Sequence, residues 1–466
     1  TAKFFTLLLL LYRTLAKTAG REAETRAPRV LEDGLAEPAA GKPPAAAEET
    51  AAVPEVPIQE AETENAVTGG ENMLVLICNV GSTSLKYKLF DMPSETVLVD
   101  GRMERVGRMD GIFTYQNFKS GYTEKLESVA LPTYTEGINL FLKFLTSADK
   151  GAIQSVREIG AVGFKTVLSK GYNGIHELTE PVVEGMRQMV SVAPAHNPPY
   201  IEAIGKFKEI LPGTLLVGAF ETGFHTTMPK EARIYSTPYE WYEKYGFERL
   251  GYHGASHSYI AGQVQRRAGE KFNLISCHLG GSCSVCAVKD GKSIDTSFGF
   301  SLQNGIPHAN RIGDVDPYIF PYLMKNYGMS LEDILKQMDK KGGLLGISGV
   351  SNDLREVEAA ADGGNERAKL AIDVFCYSIV KYIGSFYAAL GGLDYIAFTG
   401  GIGEHSATVR AKVLGRVAHF GIELDEAKNK GGAGEITKPT SKVKALVIPA
   451  NEELGIARGI FEKFRL

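Results

Sequence analysis

The chain has 466 residues, 44% of them hydrophobic, and a formal net charge of -4. That length suits two domains of moderate size, and a charge balance with no basic block argues against a nucleic-acid partner. Five cysteines, an odd number unevenly spread, do not make a disulfide framework and fit a reducing, cytoplasmic compartment.

Residues 1–72 stand apart from the rest. Phe4 to Tyr12 is a run of nine apolar or weakly polar residues. It is shorter than the about 20 residues a transmembrane helix needs, and no clean cleavage site follows it. From Ala19 to Asn72 the chain is rich in Ala, Glu, Pro and Thr and almost free of large apolar residues. Such a segment cannot bury enough surface to offset its ordering entropy, so the expectation is a disordered extension before a natural start at Met73. No membrane partner is expected.

Leu74 to Cys78 is a short apolar run that reads as a buried strand. Asn79 to Ser84 follows as a turn with one glycine and three hydroxyls, and Leu85, Tyr87 and Leu89 then alternate with Lys86 and Lys88 as a returning strand. Strand, Gly/Ser/Thr turn, strand and a nearby cation make a candidate phosphate cradle. It is not a Walker loop, because the spacing is absent and no helix follows. An ordinary hairpin with a polar turn is the simpler reading of this stretch alone.

Glu136 to Ala148 has helical spacing, with Ile138, Phe141, Leu142 and Leu145 on one face, and Ile159 to Val167 is strand-like. A turn at Ala195 to Pro199 leads into a helix carrying Ile201, Ile204 and Phe207. Leu215 to Phe220 is a strand ending in Glu221 to His225. Pro238 to Tyr245 reads as a short helix, and Gly251 to His257 opens another.

Leu274 to Val288 repeats the opening pattern about 200 residues on: strand, Gly280-Gly281-Ser282 turn, strand. A long helix, Lys369 to Leu390, stops at Gly391-Gly392. Tyr395 to Phe398 is a strand before a third glycine turn, Thr399 to Glu404, and a helix ended by Gly421. Val443 to Ile448 is the last strand, and Asn451-Glu452-Glu453 caps a final helix through Phe464. Two similar hairpins in two halves suggest two like-folded α/β domains facing each other across a nucleotide, with parallel sheet content.

Two metal readings compete with this. His253 and His257 could share a helix face, but Gly254 makes the first turn irregular and no carboxylate has the zincin spacing. Cys277, His278, Cys283 and Cys286 form a tempting cluster, yet Cys283 and Cys286 lie in a strand-like run where i and i+3 point apart.

Ten ordered blocks, among them "NVGSTSLKYKLF", "APAHNPP", "FETGFHTTMP", "GYHGASHSYI", "CHLGGSCSV", "NRIGDVDP", "SNDLRE", "FTGGIGEHS" and "IPANEELGIAR", resemble the acetate kinase family over nearly all of residues 73–466. The resemblance implies an actin- and hexokinase-like fold of two ribonuclease H-like domains, each with a βββαβαβα core. Domain I would comprise 73–221 with 453–466, and domain II 222–452. It implies a homodimer using ATP with Mg²⁺ or Mn²⁺, and direct in-line phosphoryl transfer to a short-chain carboxylate. A carboxylate is already nucleophilic at neutral pH, so the protein's task is to neutralise and align the moving phosphoryl group.

By the same resemblance, Arg311 contacts that group and the acceptor, His253 donates to its equatorial oxygens, and His196 helps nearby. Ser82, Ser84 and Lys86 would belong to the first phosphate loop, with Asn79 and Glu452 on the metal side. His278, Gly280, Gly281 and Ser282 would form the β-phosphate loop, and Gly400, Gly401 and Gly403 the adenosine loop. The dull alternative for Arg311 is a surface pair with Asp314 or Asp316, and for Glu452 a helix-dipole role.

The chain departs from the family around the acceptor. Lys165 stands where an arginine is expected, which keeps the charge but loses the bidentate fork. Glu221 replaces an aspartate, one methylene or about 1.5 Å longer. Gly281 replaces an asparagine. The acyl pocket keeps Val167 but has Ala195, Tyr252 and Leu302 in place of leucine, phenylalanine and proline. Ala195 would enlarge it and the Tyr252 hydroxyl would offer a hydrogen bond, so a larger or more polar acceptor is expected to fit. A propionate or butyrate kinase and a silent nucleotide-binding homologue are the alternatives.

Overall fold

The computed structural model describes residues 73–464 apart from Ser82 and Ala195. The expected disordered extension, the Ser82 phosphate contact and the Ala195 enlargement therefore lie outside the described residues.

Two mixed sheets share one plan. The first has eight strands: β1 (Met73–Gly81), β2 (Ser84–Met92), β3 (Thr96–Glu104), β4 (Arg108–Asn117), β5 (Tyr122–Leu131), β6 (Ile159–Phe164), β7 (Gly174–Glu177) and β8 (Leu215–Phe220), in the order β5-β4-β3-β2-β1-β6-β8-β7. The second has six: β9 (Asn273–Leu279), β10 (Cys283–Lys289), β11 (Lys292–Thr296), β12 (Tyr395–Thr399), β13 (Gly434–Glu435) and β14 (Lys444–Val447), in the order β11-β10-β9-β12-β14-β13. In each, the first strand of an antiparallel hairpin (β1–β2, β9–β10) is extended by two parallel strands in succession, β6 then β8 and β12 then β14. The sheets are mixed rather than parallel, because short hairpin turns join the first strands and helices join only the later ones.

Helices α1 (Tyr134–Leu145), α2 (Glu180–Gln188) and α3 (Asn197–Ile210) cover one face of the first sheet. Thr133 caps α1 through a capping box with Glu136. α4 (Gly254–Ala268) packs on β9 and β12. α5 (Glu366–Leu390) is the long helix expected, three residues longer at its start. It is apolar and long enough to cross a membrane. However, Ala371, Ile372, Phe375, Ile379, Ile383 and Phe386, at three- and four-residue spacing, bury it in the second core.

After β12 the third glycine segment forms a short helix, α6 (Gly400–His405), followed by α7 (Ala407–Arg416). The last helix, α8 (Glu452–Phe464), carries Leu454, Ile456, Ala457 and Ile460 onto the other face of the first sheet and also packs on α4. Because α4 packs on the second sheet, the α4–α8 contact joins the two sheets.

Candidate active site

The β1–β2 turn and the β9–β10 turn open into one cavity of about 360 Å³, lined by Asn79, Val80 and Gly81 from the first and Gly281 and Ser282 from the second. Gly280 and Gly281 also line an adjoining cavity of about 550 Å³ with Gly401, Ile402 and His405. Gly281 is common to both, so the two spaces meet at that loop. The third glycine segment reaches it because Gly400 adopts φ +77, where a Cβ would lie 2.7 Å from the Leu279 carbonyl oxygen. Glu404 Oε1 secures the segment, accepting from Gly400 N–H and Ala450 N–H at 3.0 Å each.

Arg311 lies at the junction. One guanidinium nitrogen donates to the Leu302 carbonyl at 2.7 Å and another to Ser282 Oγ. The surface pairing with Asp314 or Asp316 is not formed. Asp314 instead accepts from Gly305 N–H at 2.8 Å and the Tyr382 hydroxyl at 2.6 Å, closing the loop that presents Arg311.

His253 caps α4 with φ 57, in the left-handed region that bulky residues avoid. The next residue explains it: Gly254 N–H donates to the Glu221 carbonyl at 3.0 Å, and a Cβ on Gly254 would sit 2.2 Å from that oxygen. The strained turn thus seats the start of α4 on the Glu221 carbonyl. Burial holds His253 well below the ordinary imidazole range, and the positive environment of Lys165 and Arg311 adds to it. His196, at the start of α3 with one edge exposed, is pushed down to about 4 by desolvation and then by Arg311 and Lys165. His278 Nδ1 pairs with Ser256 Oγ at 2.7 Å, and its ring centroid is 4.1 Å from that of His253.

Lys165 holds the opposite wall. Its ammonium donates to Glu452 and lies 3.6 Å from Glu221 Oε1. Burial opposes its charge, but the two carboxylates outweigh this and keep it protonated. Burial raises the Glu221 carboxyl to about 7, with Lys165 pulling it down and Glu452 pushing it up. Glu452, at the first turn of α8, also loses by burial, yet Lys165 and then His278 hold it below its usual value. The cation standing in for the family's arginine is therefore held by two carboxylates, not open for a carboxylate substrate.

The apolar side of the cavity is Val167, Tyr252 and Leu302. The Tyr252 hydroxyl is not available there: it donates to the Phe300 carbonyl at 2.6 Å and the residue is 1% exposed. The expectation that it offers a hydrogen bond to a polar acceptor is corrected by that partner. Ser84 and Lys86 lie on β2 opposite Gly81 and Asn79, outside the cavity lining, with Lys86 exposed. Gly403 is buried, its carbonyl accepting from Arg410 at 2.8 Å.

Tyr200 was not among the expected residues. Its hydroxyl donates to Asn79 Oδ1 at 3.0 Å and accepts from Val80 N–H at 3.2 Å, fixing the first loop. Its place one turn before Ile204 on the buried face of α3 was the available signal. Asn352, Asp353 and Arg355, which line the larger cavity, lay in a quoted block without a role.

The acetokinase family profile matches residues 74–458. The chain belongs to the acetokinase family. Acetate kinases of Shouchella clausii and Methanosarcina barkeri are each 44% identical, over 390 and 392 residues, spanning 82% and 83% of this chain and 98% and 96% of those relatives. Among solved structures, the acetate kinase of Porphyromonas gingivalis is 37% identical with a TM-score of 0.76, covering 84% of this chain and all of that one. A propionate kinase of Francisella tularensis is 33% identical with a TM-score of 0.77, covering 83% and 98%. The acetokinase fold thus accounts for both sheets and for the cleft between their loops.

Proposed function

We propose that the protein transfers the γ-phosphoryl group of ATP directly to acetate, or in reverse, in the cleft where the two cavities meet. The observation that carries this reading is Arg311: a half-buried guanidinium held by Leu302 and Ser282 in the cavity lined by the first two glycine segments, next to Gly281, which also lines the cavity of the third. The adenosine would occupy the larger cavity and the phosphates would follow Gly280 and Gly281. Backbone N–H groups at such turns, with Arg311 and neutral His253 as donors, offset charge on the moving group without competing for the proton of a base.

Among the described residues no cluster of three or more His, Cys, Asp or Glu groups could hold a metal by itself. Glu221, however, is buried with no hydrogen-bond partner on either carboxylate oxygen. With Glu452 and Asn79 Oδ1 it offers the hard oxygen donors that suit Mg²⁺ or Mn²⁺, which complete their shells with water and substrate phosphates. When bound, the ion would neutralise phosphate charge; Lys165 holds Glu452 ionised and lies 3.6 Å from Glu221 Oε1, placing both carboxylates beside one cation.

Val167, Tyr252 and Leu302 present an apolar wall with the Tyr252 hydroxyl already occupied, which favours an aliphatic acyl chain over a hydroxy acid. Propionate is the second reading, favoured by the likeness to the propionate kinase above. Exposed Tyr318, Ile319, Tyr322, Met324 and Tyr327 form an apolar face consistent with a homodimer. A cytoplasmic location fits five unpaired buried thiols. The test is trapping of acyl phosphate as hydroxamate from ATP, Mg²⁺ and a panel of acetate, propionate, butyrate and lactate. Acetate is expected to lead and lactate to trail; no product with any of them would end the proposal.

A further inference from the structure

Strand alternation puts Ser276 and His278 of β9 and Ser284 of β10 on the face turned toward α4, opposite Cys277, Cys283 and Val285. His253 and His257, one turn apart on α4, face that same surface. The result is a continuous buried chain. Ser284 Oγ lies 2.8 Å from His253 Nδ1 and 2.8 Å from His257 Nε2, and His257 Nδ1 lies 2.9 Å from Ser276 Oγ. His257, Ser276 and Ser284 are all 0% exposed.

The chain has one favoured direction, which follows from counting donors. Ser276 Oγ has no other hydrogen-bond partner among the described residues. Its hydrogen must therefore go to His257 Nδ1, or stay buried without an acceptor, which is the costly outcome. His257 Nδ1 is then bare and Nε2 carries the proton, donating to Ser284 Oγ. Ser284 in turn donates to His253 Nδ1. His253 is left with its proton on Nε2, the ring nitrogen without a protein partner, on a residue lining the cavity. Burial keeps both imidazoles neutral, as this pattern requires.

We propose that His257, Ser276 and Ser284 are positioning residues that fix the Nε2–H tautomer of His253, so that it meets the cleft as a hydrogen-bond donor. The inference rests on the phosphotransfer reading above, because a donor at this place serves the moving phosphoryl oxygens. Neither serine nor His257 touches the substrate; they act through His253.

The test uses the full chain with ¹⁵N-labelled histidine, whose long-range ¹H–¹⁵N correlations separate bare from protonated ring nitrogens; His253→Gln and His257→Gln variants assign the signals. The expected wild-type spectrum has Nδ1 bare and Nε2 protonated in both residues. Ser284→Ala is expected to give a tautomer mixture at His253 and lower kcat about tenfold, with ATP affinity changed less than about twofold. Ser284→Thr, which keeps the hydroxyl, should restore the tautomer and most of the turnover. If Ser284→Ala does not fold, Ser276→Ala serves: without the hydroxyl that donates to Nδ1, His257 is expected to lose its single-tautomer signature and show a mixture, with a smaller loss of kcat. A wild-type His253 protonated on Nδ1, or a folded serine-to-alanine variant with wild-type turnover, overturns the proposal. Correct tautomers in a protein that makes no acyl phosphate would overturn the phosphotransfer reading instead.

Discussion

The two sheets repeat one strand order yet arm the cleft with opposite chemistry. The wall built by the first sheet and α8 is ionic: Lys165 lies between Glu221 and Glu452, and only their mutual compensation keeps three charges in a confined place. The wall built by the second sheet and α4 holds neutral imidazoles threaded by serine hydroxyls, with Arg311 as its cation. A shared hairpin topology therefore fixes where the loops meet but not what they carry. Function resides in the grafted side chains.

The comparison breaks most easily at Arg311. Arg311→Ala is expected to lower kcat by about 10²–10³-fold, the loss typical of a transition-state donor, while ATP affinity measured by calorimetry changes little. Lost nucleotide binding with turnover retained would move Arg311 to the other side of the reaction.

On the ionic wall, Lys165→Arg and Glu221→Asp should each reduce turnover, because Nζ and the longer carboxylate are matched to one another. The double variant should recover part of that loss, with a coupling energy of about 1–3 kcal/mol in a double-mutant cycle. Strict additivity would show that the two exchanges are independent.

The neutral wall makes a thermal prediction. Burial holds His225, His253, His257, His278 and His308 below their ordinary values. Between about pH 6.5 and 4 the unfolded chain takes up protons that the folded chain refuses, so stability must fall as pH drops through that window. Glu221, raised to about 7, has the opposite sign but contributes a single proton. Tm should therefore decline from pH 6.5 downward; a rise over that range would contradict the neutral assignment. The smallest effect belongs to Tyr252→Phe. Loss of the bond to the part-buried Phe300 carbonyl should cost about 1 kcal/mol in denaturant unfolding and leave the order of acceptors unchanged.

Much of this was legible in the sequence. The hairpins, α5, the capping residues of α8 and the glycine segments each announced themselves through local periodicity or turn chemistry. Asn451 Oδ1 indeed accepts from Leu454 N–H at 3.3 Å. Strand β5 gave no such signal, because it carries mostly exposed or half-exposed residues on an outer edge. Partnerships across the cleft were also unreadable. Lys165 and Glu452 are 287 residues apart, and only folding shows that the cation is already engaged. The Tyr252 hydroxyl misled for the same reason: composition reveals a donor, but not the carbonyl that claims it. Ser284 sits in an apolar alternation and signals nothing until His253 and His257 arrive beside it.

The central claim is a single handover from nucleotide to carboxylate with no covalent stop on His253, His196 or Glu221. The stereochemical course with ATP made chiral at the γ-phosphorus by oxygen isotopes tests it most directly. One in-line displacement inverts that centre, and inversion is the outcome this cleft predicts. Retention would mean two displacements through a phosphorylated side chain, and would contradict it.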